Sequence, residues 1–157
     1  MIPSWMAVGA VTFLVALASG LTAPDDIRWF RRLLRPSWLT FEPAIPFIWT
    51  FIFICGAWGA VIVWETDPGS QRTWWLMGLY LLVEIAIIAY TPVMCKLRSL
   101  KAGTIIGATG TLLGLLLALA VWQVSLPAAL LLLPYLIWSP IGTYTTWEMI
   151  RLNPADR

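Results

Sequence analysis

Histidine is absent from this 157-residue chain. Charge is scarce too: Asp, Glu, Lys and Arg make up 11%, where soluble domains carry about 25%. Without histidine there is no axial imidazole for haem, the commonest metal ligand is missing, and the usual general base is gone. Zinc is not expected, and no metal site is assigned. The two cysteines, Cys55 and Cys95, lack C-x-x-C spacing and fall inside apolar segments. They read as buried free thiols, and no disulfide framework is implied. No basic residue precedes the first apolar run, whereas a secretory leader normally opens with one. Ala16-Leu17-Ala18, which has the form of a cleavage site, is therefore read as part of an uncleaved first helix.

What remains is hydrophobic: 60% of the residues. Residues 7–21, 44–64 and 102–133 contain no ionised side chain. A membrane-spanning helix needs roughly 20 apolar residues, and apolar runs this long satisfy their backbone polar groups only as helices. Cutting the last run at Ser125-Leu126-Pro127, because proline favours a helix start, yields five spans: 2–22, 43–64, 74–95, 102–124 and 127–150. The expected fold is an all-α, single-domain integral membrane bundle of five transmembrane helices. A long, partly helical loop joins the first two.

Nine of the ten basic residues fall on one side of this bundle. Arg28, Arg31, Arg32 and Arg35 follow the first span, Lys96, Arg98 and Lys101 join the third to the fourth, and Arg151 and Arg157 follow the fifth. Arg72 alone lies opposite. The positive-inside rule then places the C-terminus in the cytoplasm and the N-terminus outside, if the protein sits in an inner membrane.

In the long first loop, Pro24 and Asp25-Asp26 mark a helix start. Residues 27–34 then form a short amphipathic helix with arginines beside Trp29 and Phe30. An interfacial anchor and a ligand-capping element explain that helix equally well. Trp5, Trp64, Trp74 and Trp75 read as interface-belt residues. Gly103, Gly107, Gly110 and Gly114 fall within an arc of roughly 60° on the fourth span. Such a stripe permits close helix approach, favoured here within one subunit over a dimer seam. Glu84 is the one ionisable residue deep in a span. A charge there costs several kcal/mol unless it is paired, hydrated or neutralised. A ligand contact, a subunit contact and a neutral internal hydrogen bond all remain open for it.

Two stretches carry more specific information. Trp29-Phe30, five intervening residues and Pro36-Ser37-Trp38 precede Trp49 in an apolar run. Pro134-Tyr135-Leu136-Ile137-Trp138 is followed by Trp147 and Arg151-Leu152-Asn153. From Trp29 to Asn153 the chain resembles the translocator protein / tryptophan-rich sensory protein (TspO/MBR, peripheral-type benzodiazepine receptor) family. These are five-helix membrane proteins that bind tetrapyrroles, sterols and drug-like aromatics. The resemblance implies a pocket between the helices, capped by the first loop. Its ligand-binding residues would be Phe30, Trp38, Trp49, Phe53, Tyr90, Trp138, Gly142, Thr146 and Trp147. A flat apolar ligand needs aromatic faces and a few polar handles, although tryptophans filling a bundle would look similar.

The chain departs from the family pattern at several points. Leu39-Thr40-Phe41 stand where two prolines are usual after Pro-Ser-Trp. Val83, Ile87, Tyr90, Thr91 and Pro92 occupy the segment that commonly carries a glutamine and an asparagine, and Thr146 replaces an asparagine. Trp147 stands where the sterol-associated pattern has tyrosine, so cholesterol is not the expected ligand.

The implied function is binding of tetrapyrroles, protoporphyrin IX-like and extending to haem or bilin, and of other hydrophobic aromatic small molecules. A receptor-like stress or tetrapyrrole-regulatory role in a bacterial membrane goes with it, as a homodimer in a lipid bilayer. No cofactor is required and no nucleic-acid partner is expected. The family resemblance extends to light-dependent porphyrin degradation. An excited porphyrin beside Trp49 and Trp138 would exchange an electron with an indole, a photochemical role for these two residues without an ordinary acid–base or nucleophilic site. A tetrapyrrole or lipid transporter and a non-catalytic membrane scaffold are the rival functions.

Overall fold

A computed structural model describes residues 3–18 and 23–156. Among these residues seven α-helices follow in order: α1 (Ser4–Ala18), α2 (Pro24–Arg32), α3 (Ile45–Thr66), α4 (Gln71–Leu97), α5 (Leu100–Trp122), α6 (Leu126–Leu130) and α7 (Leu133–Leu152). Short 3-10 turns occupy Glu42–Ala44 and Pro154–Asp156. The described residues contain no strand. Among the described residues four helical segments are long and apolar enough to cross a bilayer: Glu42–Thr66, Gln71–Leu97, Leu100–Trp122 and Leu126–Leu152. The expected first span, 2–22, lies partly outside the described residues. Its described part, α1, has 15 residues, short of the roughly 20 a crossing requires.

Serine hydroxyls start three of the helices. Ser70, Ser99 and Ser125 accept hydrogen bonds from the backbone N–H groups of Thr73, Ala102 and Ala128, each satisfying one orphan donor of a helix first turn. Between α4 and α5 the chain reverses in two residues. Arg98 adopts a left-handed conformation with φ 48°, and the N–H groups of Arg98 and Ser99 return to the carbonyls of Cys95 and Met94 at 3.1 Å. That closure satisfies the helix end and makes α4 and α5 adjacent antiparallel partners.

The segment expected as one continuous helix, 127–150, is two helices with a turn at Leu131 and Leu132. Pro134 has no N–H for the carbonyl four residues back, and its ring crowds that carbonyl. The chain therefore restarts, with Pro134 in the first turn of α7. Pro92 and Pro140, by contrast, are carried inside α4 and α7.

Helices α4, α5 and α7 pack in sequence, and α1 packs against α3 and α4. The main core joins Ile52 and Val63 of α3, Leu76 and Tyr80 of α4, Leu117 and Val121 of α5, and Tyr135 of α7. Outward-facing side chains such as Phe47, Ile54, Trp58, Leu112 and Ile137 are apolar and exposed, the reverse of a soluble protein and the pattern of a lipid-contacting surface. Trp5, Trp74 and Trp75 are also exposed, at helix ends. A second, smaller core gathers Trp29 and Leu33 of the first loop with Met94, Cys95, Leu100 and Met149. The amphipathic helix α2 is thereby docked on the ends of α4, α5 and α7.

The glycine stripe faces inward. A Cβ on Gly103 would lie 2.5 Å from the Met94 sulfur, one on Gly107 2.5 Å from the Thr143 hydroxyl, and one on Gly114 against the Tyr135 ring. Close packing of α5 on α4 and α7 accounts for the stripe. Glu84 belongs to the α1–α4 seam, where the Thr12 hydroxyl donates to its Oε1 at 2.7 Å.

A cavity beneath the first loop

Beneath the docked loop lies a cavity of about 490 Å³, within the usual range for small-molecule pockets. Helix α3 contributes Trp49 and Phe53, α4 contributes Tyr90 and Thr91, α5 contributes Gly107 and Gly110, and α7 contributes Trp138, Gly142 and Thr146. Phe30, Arg35 and Leu39 close it from the loop. Seven of the nine residues implied by the family resemblance thus border one space. Trp38 and Trp147 lie outside that lining. Trp38 stacks on Tyr144 at a ring separation of 6.1 Å and donates its indole N–H to Glu148 Oε2 at 2.7 Å. Trp147 is tilted against Tyr144 at 5.7 Å and is exposed.

The walls are mostly apolar, and several of the polar side chains in and behind them are hydrogen-bonded within the bundle. The Tyr90 hydroxyl is hydrogen-bonded to Thr146 Oγ1, linking α4 to α7. Thr111 and Ser139 share a hydrogen bond of 2.8 Å between α5 and α7. Thr143 donates to the Ser139 carbonyl at 2.9 Å. Hydroxyls already satisfied this way can be re-aimed toward a ligand, while the aromatic surface of Trp49, Phe53 and Trp138 borders the cavity and can stack on that ligand.

Arg35 holds the roof in place. Its guanidinium donates to the carbonyls of Phe30 at 3.0 Å and Leu33 at 2.6 Å, and to Glu42 Oε1 at 3.2 Å. It also lies 4.5 Å from the centre of the Phe30 ring. The planar five-donor fork suits this multiple grip, which stops the turn after α2 and presents the Phe30 ring to the cavity. Where the family usually has two prolines, the Leu39 N–H reaches the Pro36 carbonyl and the Thr40 N–H the Trp38 carbonyl. That tight turn directs Leu39 into the cavity and packs Phe41 edge-on against Trp138 at 6.2 Å.

The C-terminal segment fastens the loop from outside. Asp156 Oδ1 accepts from Trp29 Nε1 at 2.7 Å and from Arg32 at 2.9 Å. These bonds, the Trp29 indole foremost, hold the Asp156 carboxyl below the usual carboxylate range. Among the described residues no three potential metal-ligating side chains cluster.

Arg35, Tyr135, Ser139, Thr143 and Met149 line the cavity without having been singled out from the sequence. A signal existed for four of them. Positions 135, 138, 139, 142, 143, 146 and 149 recur every three or four residues, one face of a helix. That face carries hydroxyls and aromatics where a lipid-facing stripe would be leucine. Nothing comparable marks Arg35, one cation in a basic loop.

A family model described as the TspO/MBR family matches residues 7–152. The chain is 28% identical over 143 residues to the tryptophan-rich protein TspO of Bacillus cereus, covering 91% of this chain and 92% of that protein. It is 25% identical over 151 residues to the tryptophan-rich sensory protein of Cereibacter sphaeroides (91% and 90% covered). It is 27% identical over 170 residues to the translocator protein of Bos taurus (100% and 96% covered).

Proposed function

Since the chain belongs to the TspO/MBR family of membrane proteins, we propose that it binds tetrapyrroles of the protoporphyrin IX type in the cavity beneath its first loop. Related flat aromatic molecules would enter the same space. The observation that carries this reading is the placement of Trp49 and Trp138, from different helices, on one apolar cavity of about 490 Å³. Two indole faces serve a macrocycle by stacking, and the cavity-lining hydroxyls of Tyr90, Thr146 and Ser139 offer polar handles at its edge. The physiological role is regulatory, sensing tetrapyrrole level or stress. Light absorbed by the bound macrocycle drives electron exchange with these indoles, leading to degradation of the ligand.

In this proposal α1 belongs to the fifth membrane span. The basic side of the bundle, which carries the first loop and C-terminus, faces the cytoplasm of a bacterial cell, and the protein works as a homodimer. A transporter is the second reading, favoured by the break in the last span. Transporter sites use broken helices near the midplane, whereas this break lies close to one end.

Titration of the purified protein with protoporphyrin IX, followed by tryptophan fluorescence in the dark and under illumination, tests the proposal. Saturable quenching in the dark, with a new porphyrin product in the light, is the expected result. Linear, unsaturable quenching would instead favour a scaffold.

A further inference from the structure

Trp38 poses a question that the cavity does not answer. It belongs to the motif assigned to the ligand, yet it lies one ring away from the space the ligand would fill. Phe41 stands between. The ring centres of Trp138 and Phe41 are 6.2 Å apart, those of Phe41 and Trp38 6.5 Å, and Trp38 continues to Tyr144 at 6.1 Å. Each separation falls within the 4.5–7 Å range of direct ring contact, so an unbroken file of π systems leads from the cavity wall to the exposed face of α7.

The end of that file is chemically different from its beginning. Trp38 Nε1 donates to the Glu148 carboxylate at 2.7 Å. Among the described residues only Trp29 also gives its indole N–H to a carboxylate, and no ring contact joins Trp29 to the cavity. Losing an electron makes an indole N–H strongly acidic. An adjacent carboxylate then accepts the proton, and the neutral radical left behind is far harder to return to the cavity than a radical cation.

We propose that Trp38 and Glu148 form a proton-coupled terminus for oxidising equivalents generated in the cavity, reached from Trp138 across the Phe41 ring. This rests on the photochemical part of the function proposed above. The photoexcited tetrapyrrole takes one electron from Trp138, giving a ligand radical anion and an indole radical cation. Dioxygen removes the extra electron from the ligand as superoxide, so that turnovers ending in this relay leave the ligand intact and only the remaining turnovers degrade it. Trp38 passes an electron to Trp138, restoring it, and transfers its Nε1 proton to Glu148. A small thiol from the aqueous phase returns a hydrogen atom to Nε1, Glu148 releases its proton to water, and two thiyl radicals couple to a disulfide. Trp38 is thus a relay residue and does not touch the ligand.

The test is flash photolysis and freeze-quench electron paramagnetic resonance of the full-length protein loaded with protoporphyrin IX. Three forms are compared: wild type, Trp38→Phe and Glu148→Gln. The glutamine still accepts the indole N–H bond that pins the loop but cannot take the proton. Wild type should yield a long-lived neutral tryptophan radical. Trp38→Phe should lose it, still bind porphyrin saturably in the dark, and accumulate several-fold more oxidised Trp138 by mass spectrometry. Glu148→Gln should shorten the radical lifetime by roughly tenfold or more and leave a cation in place of the neutral species. A neutral radical undiminished in Trp38→Phe, or one unaffected by Glu148→Gln, overturns the relay while leaving the photochemical reading intact. Saturable porphyrin binding with no tryptophan radical in wild type overturns both.

Discussion

Asn153 grips the backbone of Leu34 in both directions. Its Oδ1 accepts from the Leu34 N–H at 2.8 Å, and its Nδ2 donates to the Leu34 carbonyl at 3.0 Å. A residue just beyond the last helix thereby supplies the pairing that an extended stretch of the first loop would otherwise find in water. The same nitrogen reaches the Met149 carbonyl at 2.9 Å, so the loop is anchored to the end of α7 itself.

Breaking this grip should loosen the roof without unfolding the bundle. Asn153→Ala removes both bonds to Leu34, each worth about 0.5–1.5 kcal/mol net. Limited proteolysis should cut the first loop faster, and porphyrin dissociation should quicken. Helix content by circular dichroism should not change. A variant with wild-type proteolysis and dissociation would show that the loop is held elsewhere.

The tail should also respond to acid, in a definite direction. The Asp156 carboxyl is held below its ordinary range, so its contribution to docking is complete above the unfolded value, about 3.9. It fades as pH falls through the lowered native value. Trp29 emission should therefore stay constant from neutral pH down to about 4 and change only in stronger acid. Asp156→Asn keeps an acceptor for the indole, loses the Arg32 ion pair, and should abolish that acid step.

Glycine replacements along α5 should differ according to what each new methyl meets. Gly114→Ala presses on Tyr135 ring carbons, with Cδ1 at 2.7 Å, and a buried ring cannot move aside. A loss of about 1–3 kcal/mol is expected. Gly103→Ala meets the flexible Met94 thioether and should cost less. Gly78→Ala on α4 has nothing within 4 Å and should be neutral or slightly stabilising. Thermal denaturation in detergent ranks the three, and equal shifts would refute the packing assignment.

Glu84 and Thr12 make a similar pair of contrasts. Glu84→Gln preserves an acceptor for the Thr12 hydroxyl and should leave thermal stability nearly unchanged. Thr12→Val strands the half-buried carboxyl and should cost about 1–3 kcal/mol. Porphyrin affinity that depended on pH in wild type but not in Glu84→Gln would assign the carboxyl a titrating role beyond this bond.

The cavity tryptophans supply the most direct check on function. Trp49→Phe and Trp138→Phe keep an aromatic ring and should fold normally. Each indole stacked on a macrocycle contributes about 0.5–1.5 kcal/mol beyond burial, so dark affinity should weaken by up to about tenfold. Light-driven conversion should fall further, since phenylalanine is much harder to oxidise. Trp75→Phe, exposed at the far end of α4, should change neither quantity. Indistinguishable behaviour of all three variants would make the cavity tryptophans packing residues only.

The sequence by itself determined the solvent, the all-helical character and most residue types of the site. Apolar runs without charge permit only helices in a bilayer, and serines before Thr73, Ala102 and Ala128 mark where helices begin. The tryptophan spacing was specific enough to indicate the family, because those residues sit at set positions along local segments. Tertiary structure alone decided which of them face a common space. Trp38 and Trp49 are close in sequence, yet only Trp49 lines the cavity, because the turn at residues 36–40 aims Leu39 inward and leaves Trp38 to Glu148 and Tyr144. Arg35 became a roof fastener only through carbonyls that the folded loop converges on it, and Glu84 found its partner on a helix 72 residues away. The break after α6 has a local cause in Pro134, which favours the first turn of a helix over its interior. Periodicity assigns a residue to a face of its own helix, but what stands opposite that face depends on how the other helices pack.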